Sequence, residues 1–198
     1  VYIPLPTGMR AEWVIRAAKA GKHVVCEKPC GLDAAEVQKI LDACGQNNVQ
    51  FMDGVMFMHS HRLHAIREAL NDGTSVGDLR RIATGFSFCA PDEFLEGNIR
   101  VSSQLEPMGC LGDLGWYNVR FTLWMMNYAM PKAVSGRLLS SIQSGGSSAP
   151  TPTEFSGELF FDDGVTASFY CSFLTEHQQW AHVSGSKGHL HVNDFVLP

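Results

Sequence analysis

The chain has 198 residues, 45% of them hydrophobic and 18% charged, a balance that builds a core and excludes a disordered segment. Its formal charge of −5 argues against nucleic acid or an anionic membrane as the main partner. No apolar run reaches the ~20 residues that a bilayer span takes.

Val1-Tyr2-Ile3 is a β-branched and aromatic run ended by Pro4, so the chain begins inside a strand. Leu5-Pro6-Thr7 is the loop at its carboxyl end. Thr7 is the expected N-cap of a helix over Arg10 to Ala20, with Gly21 just past its end and Trp13, Val14, Ala17 and Ala18 as its packing face. A short strand, His23 to Cys26, leads into Glu27-Lys28-Pro29. Proline keeps Lys28 out of helical geometry, which leaves it at a strand end or in the loop beyond. Asp33 caps a second helix, Ala34 to Cys44, with Val37, Ile40 and Leu41 inward. Gly45 to Asn48 ends it, and Val49 to Met52 runs as a strand toward Met56-Phe57-Met58. Strand, helix, strand, helix, strand over residues 1–58 implies a parallel sheet with right-handed crossovers.

Arg62 to Leu70 reads as a linking helix with Leu63, Ile66 and Leu70 on one side. Leu79 to Phe88 alternates at Ile82, Thr84, Phe86 and Phe88 and opens a second sheet. Pro91 to Gly97 is loop or short helix, and Ile99 to Gln104 a polar connector in which Arg100 is either a substrate contact or a surface charge. A glycine-rich helix start follows, Gly109-Cys110-Leu111-Gly112-Asp113-Leu114-Gly115-Trp116-Tyr117, running on through Phe121 and Met125 until Pro131 stops it. Glycine inside a helix costs about 1 kcal/mol, so Gly112 and Gly115 ask for a close approach of ligand or backbone, or mark a loop that turns helical only after Gly115. A helix would place Asp113 and Tyr117, four apart, on one face. Ala133 to Ile142 is a strand, and residues 144–153 a flexible loop. Glu154 to Phe161 and Val165 to Leu174 flank the hairpin signal Asp162-Asp163-Gly164, and Gln179 to Ser184 and His189 to Val192 follow. Hairpin after hairpin means a mostly antiparallel open sheet packed on the Asp113 helix.

The six cysteines form no C-x-x-C pair and read as reduced, buried thiols of an intracellular, cytoplasmic protein. His59, His61 and His64 would be a metal cluster in the sharp reading. The bland reading, a solvated loop or helix start, is better, because no carboxylate or thiol completes a zinc pattern. A lysine at the carboxyl end of a strand in an open α/β sheet is either a catalytic group or one half of a surface ion pair.

The runs Pro4-Leu5-Pro6-Thr7 and Ala20-Gly21-Lys22-His23-Val24-Val25-Cys26-Glu27-Lys28-Pro29, followed by Asp113-Leu114-Gly115-Trp116-Tyr117, resemble the glucose–fructose oxidoreductase and inositol dehydrogenase (Gfo/Idh/MocA) family. The resemblance implies an α/β fold: the C-terminal part of a Rossmann-type NAD(P)-binding domain over residues 1–58, then an α+β substrate and dimerisation domain over 59–198. It implies hydride transfer between NADP or NAD and a secondary hydroxyl or carbonyl of a sugar, polyol or dihydrodiol. Lys28, Asp113 and Tyr117 match the family's catalytic positions, and Pro4, Leu5, Pro6, Thr7, Glu27, Lys28 and Pro29 would lie along the nicotinamide half of the cofactor. In that reading Tyr117 handles the proton, the Lys28 ammonium lowers its pKa, and Asp113 holds a second hydroxyl. Arg10 stands where many members have His, and no role is carried to it. No G-x-G-x-x-G follows a strand, so the resemblance also implies that the phosphate-binding half precedes residue 1 and that the sheet runs past residue 198. Three rivals stand beside it: a family member that keeps the sheet as a dimerising scaffold without binding cofactor, an unrelated α/β binding module, and a metal-dependent hydrolase built on the histidines.

Overall fold

A computed structural model describes residues 1–144 and 147–197. In the first part of the chain, Tyr2–Ile3 (β1), Val24–Cys26 (β2) and Phe51–Asp53 (β3) pair in parallel in the order β1-β2-β3. The crossovers are Thr7–Lys19 (α1) and Ala34–Gln46 (α2). Ile3, Val14, Ala18, Val24 and Ile40 form a small core between sheet and helices. Two inward assignments change, and one further residue turns inward. Trp13 and Leu41 each lie 44% exposed. Arg10, with no role from sequence, is 6% exposed and sits on the buried face with Val14 and Ala18. Trp13 instead borders a groove of about 570 Å³ along β1, with Tyr2, Pro4, Leu5 and Met9.

Thr7 is the first residue of α1 and not its cap. Asp33 caps α2 as the sequence implies, its carboxylate accepting from the Glu36 N–H at 2.7 Å. Beyond β3 the run Met56–His59 is a 3-10 turn and not a strand, and it drives Phe57 into a second, larger core.

That core lies under a six-stranded sheet. Arg62–Asn71 (α3) leads to Leu79–Cys89 (β4), and Asp92–Gly97 (α4) and a 3-10 turn at Ile99–Val101 follow. A π-helical segment, Leu111–Gly115, continues directly into Trp116–Met125 (α5). Then come Ala133–Ile142 (β5), Thr151–Phe160 (β6), Thr166–Ser172 (β7), Leu174–Gly185 (β8) and His189–Asn193 (β9). The order is β5-β6-β7-β4-β8-β9. Every pairing is antiparallel except β4 with β7. Helix α5 covers one face, where the Asn118 amide donates to Thr84 Oγ1 and to the Tyr170 carbonyl, at 3.0 and 3.3 Å. It ends at Met125, and beyond it Asn127 and Tyr128, both with positive φ, turn the chain before Pro131 is reached. Of the expected loop at 144–153, residues 145 and 146 lie outside the described residues, as does Pro198, and residues from Thr151 on belong to β6.

Among the described residues, the two sheets meet through four polar ties. Gly8 N–H donates to the Leu105 carbonyl at 2.9 Å. Glu106 accepts from the Thr7 N–H and hydroxyl at 2.8 and 2.6 Å. Lys28 pairs with Asp113 at 2.9 Å, and Arg120 with Asp53 at 3.1 Å. No described helix is long and apolar enough to cross a membrane.

Candidate active site

The parallel register sets β1 beside β2, with Ile3 opposite Cys26. Their carboxyl ends therefore deliver Pro4-Leu5-Pro6-Thr7 and Glu27-Lys28-Pro29 side by side. Arg10 ties the two loops together. Its Nε donates to the Leu5 carbonyl at 2.7 Å, and its Nη1 to Thr7 Oγ1 at 2.8 Å and to the Pro29 carbonyl. A buried guanidinium is tolerable only when its donors are met, and here strand-end carbonyls meet them. Thr7 is buried and its polar atoms are taken by Glu106 and Arg10, so it offers nothing to a ligand. Pro4, Leu5 and Pro6 remain at the surface or partly exposed. Glu27 accepts a hydrogen bond from the Tyr2 hydroxyl at 2.7 Å.

Lys28 reaches across to the second sheet's helix. Its Nζ donates to the Asp113 carbonyl at 2.6 Å and to Asp113 Oδ1 at 2.9 Å. The lysine side chain is 10% exposed and that of Asp113 18%. The ammonium also stands 4.4 Å from the centre of the Tyr117 ring. Residues 28, 113 and 117 thus converge, although the first is far from the others in sequence. An ammonium has three donors. Two go to Asp113, and no described residue takes the third.

The π-helical turn explains the glycines. A Cβ on Gly115 would stand 2.9 Å from Leu111 Cδ1 and 3.0 Å from Cys171 Sγ. Gly109 has φ +46°, and a Cβ there would lie 2.1 Å from the Pro152 carbonyl oxygen. Close packing of this segment on β6 and β7 is what the motif requires, and it sets the depth of Asp113 and Tyr117.

Two expected roles are revised by the geometry. Lys28 was expected to pull the Tyr117 phenol toward ionisation. Its ammonium instead faces the ring, in the cation–π position. The phenol's pKa is raised, first by burial among Phe57, Phe86 and Trp116, then by the Asp113 and Glu27 charges, and Arg100 is the charge that opposes them. Asp113 was expected to hold a substrate hydroxyl, but its two oxygens first serve two cations: Oδ1 takes Lys28 and Oδ2 takes Arg100, each at 2.9 Å.

Arg100, Arg10 and Glu106 are the residues that sequence reasoning undervalued. For Arg10 a signal existed, since positions 10, 14 and 18 share a helical face. For Glu106 none did, because its partner is 99 positions away. The histidine trio assembles no site: His61 and His64 stand 6.4 Å apart by ring centres, and no group of three metal-ligating side chains occurs among the described residues. The cysteines are unpaired, and Cys89 is exposed where burial was expected. A separate cavity of about 410 Å³, lined by Pro29, Leu32, Asp53, Glu106 and Trp116, lies between the two sheets, and Lys28, Asp113 and Tyr117 are not on its wall.

The two helix N-termini of the first unit are already met by carboxylates, α1 by Glu106 and α2 by Asp33. The strand ends bring Lys28 and Tyr117 together at the carboxyl edge of the parallel sheet.

Residues 1–55 match an oxidoreductase family described as having an NAD-binding Rossmann fold, and residues 63–191 match the GFO/IDH/MocA C-terminal domain. A D-xylose 1-dehydrogenase (NADP(+)) from Haloferax volcanii is 32% identical over 98% of this chain and 56% of its own length. A trans-1,2-dihydrobenzene-1,2-diol dehydrogenase from Mus musculus is 31% identical over 93% of this chain and 52% of its own. The crystal structure of an aldose-aldose oxidoreductase from Caulobacter crescentus, complexed with glycerol, superposes with a TM-score of 0.86 at 26% identity, covering 99% of this chain and 56% of that one. The chain spans about half the length of the curated relatives it matches. With both family matches in register and an identity of 32% sustained along its length, the chain belongs to the Gfo/Idh/MocA family of oxidoreductases.

Proposed function

We propose that residues 1–58 and 59–198 are the nicotinamide side and the substrate side of an NAD(P)-dependent oxidoreductase site acting on a secondary hydroxyl or carbonyl of a sugar, polyol or diol. The observation that carries this reading is the meeting of Lys28, Asp113 and Tyr117 at the carboxyl ends of β1 and β2. Relatives named as a xylose dehydrogenase and a dihydrodiol dehydrogenase support the substrate class. When bound, the nicotinamide supplies or accepts the hydride. Pro4 to Pro6, Glu27 and Pro29 would border it. In this reading Lys28 donates its third N–H to the reacting oxygen and Tyr117 exchanges the proton there.

The raised phenol pKa sets how each direction of this reaction should depend on pH. Tyr117 keeps its proton through neutral pH. It is then in the donor form that carbonyl reduction needs, though a weaker acid than an ordinary tyrosine, whereas alcohol oxidation needs the ionised phenol. Reduction is expected to be level through neutral pH, and oxidation to rise steadily into the alkaline range. Replacing Tyr117 with Phe should lower turnover by at least ~10²-fold with D-xylose or a trans-dihydrodiol and NADP(H). An unchanged rate removes the assignment.

The rival reading is a scaffold that no longer binds cofactor. Titration with NADPH, followed by nicotinamide fluorescence, separates the two. Saturable enhancement or quenching supports the enzyme, and a flat trace supports the scaffold. A homo-oligomer through the six-stranded sheet belongs to either reading. Its support is the sheet's edge strand β5, where Val134, Leu138 and Leu139 are exposed. Light scattering on the eluted protein gives the mass directly.

A further inference from the structure

The polar connector before the glycine-rich motif brings a second cation to the site. Arg100 lies on the 3-10 turn Ile99–Val101. The turn is fixed by the Asn98 side chain, which accepts from the Arg100 N–H at 3.0 Å, and by Val101, which is fully buried. From that anchored turn the guanidinium Nε meets Asp113 Oδ2 at 2.9 Å. The Arg100 side chain is 44% exposed, and no described residue takes its remaining N–H groups. One carboxylate is therefore stretched between two cations, Lys28 on one oxygen and Arg100 on the other.

An ordinary exposed ion pair contributes little, and loss of Arg100 should barely change stability. Its position has a different effect. A carboxylate held at one oxygen can rotate, and one held at both cannot. We infer that Arg100 is a positioning residue: through Asp113 it holds the Lys28 ammonium against the face of Tyr117, and it limits the negative charge that the phenol feels. The charged groups that face Tyr117 are Lys28 from the end of β2, Glu27 beside it, Asp113 from the π-helical turn, and Arg100 itself. Its other neighbours, Phe57, Phe86 and Trp116, are uncharged. Two of the four charges are negative and push the phenol toward its neutral form. With Arg100 removed, that push grows.

The inference rests on Lys28 and Tyr117 as the proton-handling pair, but its test does not need turnover. Difluorotyrosine, whose phenol ionises more readily than tyrosine's, is incorporated throughout, and the residue 117 signal is assigned in the ¹⁹F NMR spectrum by its loss in Tyr117→Phe. Arg100→Met should move the titration of that signal upward by at least ~0.5 pH unit, and Arg100→Lys should return it most of the way. Both variants should melt as the parent does. A titration unmoved by Arg100→Met overturns the inference, as does a shift that Arg100→Lys fails to restore. With NADP(H) and D-xylose, Arg100→Met should also lower kcat about tenfold, with KM changed much less. If the ¹⁹F shift appears while no variant and no parent turns over, the oxidoreductase reading fails and the positioning role stands. Turnover with an unmoved titration gives the reverse.

Discussion

Two glycines show how differently single positions are constrained. Gly109 carries a positive φ, and its missing Cβ would fall on the Pro152 carbonyl. Gly109→Ala adds left-handed strain to a backbone clash and should cost at least ~2 kcal/mol. Gly45, in the last turn of α2, has nothing within 4 Å of where a Cβ would be. Gly45→Ala should stabilise by roughly half a kcal/mol through reduced chain entropy. Urea denaturation of the two variants measures both, and the opposite order would contradict the packing described. At this scale much of the site was readable. Lys28, Asp113 and Tyr117 were identified from two short motifs and do meet. What was not readable is how they meet. A lysine and a tyrosine read as neighbours suggest an ammonium beside a phenol oxygen, yet the ring face is the surface presented. Side-chain direction depends on the depth of the helix, which close packing against β7 decides, and no local pattern records that.

Among the elements, α1 is the clearest case of a distant partner displacing a local one. A threonine before a helix is ordinarily its own cap, and the sequence reading assigned Thr7 that duty. Glu106 takes it instead, because the loop before the π-helical turn lays a carboxylate on the Thr7 N–H and hydroxyl. Glu106→Ala should therefore destabilise by about 1–3 kcal/mol, since two donors lose a partly buried acceptor. Thr7→Ser, which keeps the N–H and hydroxyl contacts to Glu106 and the acceptor for Arg10, should cost less. Denaturant midpoints rank the two, and equal costs would contradict the acceptor role of Glu106. The strands and helices themselves were legible from their periodicity, save where another force intervened. Met56–Met58 is apolar enough for a strand but coils into a 3-10 turn to bury Phe57. The helix before Pro131 stops earlier than the proline demands, at Met125, ahead of two left-handed residues.

The molecule as a whole has two apolar cores of unequal kind. The one beneath β1, β2 and β3 is built from Ile, Val, Ala and Cys side chains. The one beneath the larger sheet holds the rings of Phe57, Phe121 and Phe173 among many others. Large aromatic burial stabilises more than small aliphatic burial, and the two cores are joined mainly by polar ties. Backbone amides of β2 should therefore exchange with deuterium well before those of β4 and β7, by at least about tenfold. Equal protection, read by exchange mass spectrometry, would mean that the polar ties make one cooperative unit.

The place of β4 in the larger sheet has a consequence for biosynthesis. It is one of the two middle strands, but its neighbours β7 and β8 are encoded far downstream; Arg81 finds Thr166 across a gap of 85 positions. At the usual pace of translation, on the order of ten seconds pass between the emergence of β4 and that of the strands that flank it. Through that interval Ile82 and Phe86 leave the ribosome with both edges of their strand bare. Bare strand edges are adhesive, so any shielding of β4 has to act before β7 and β8 emerge.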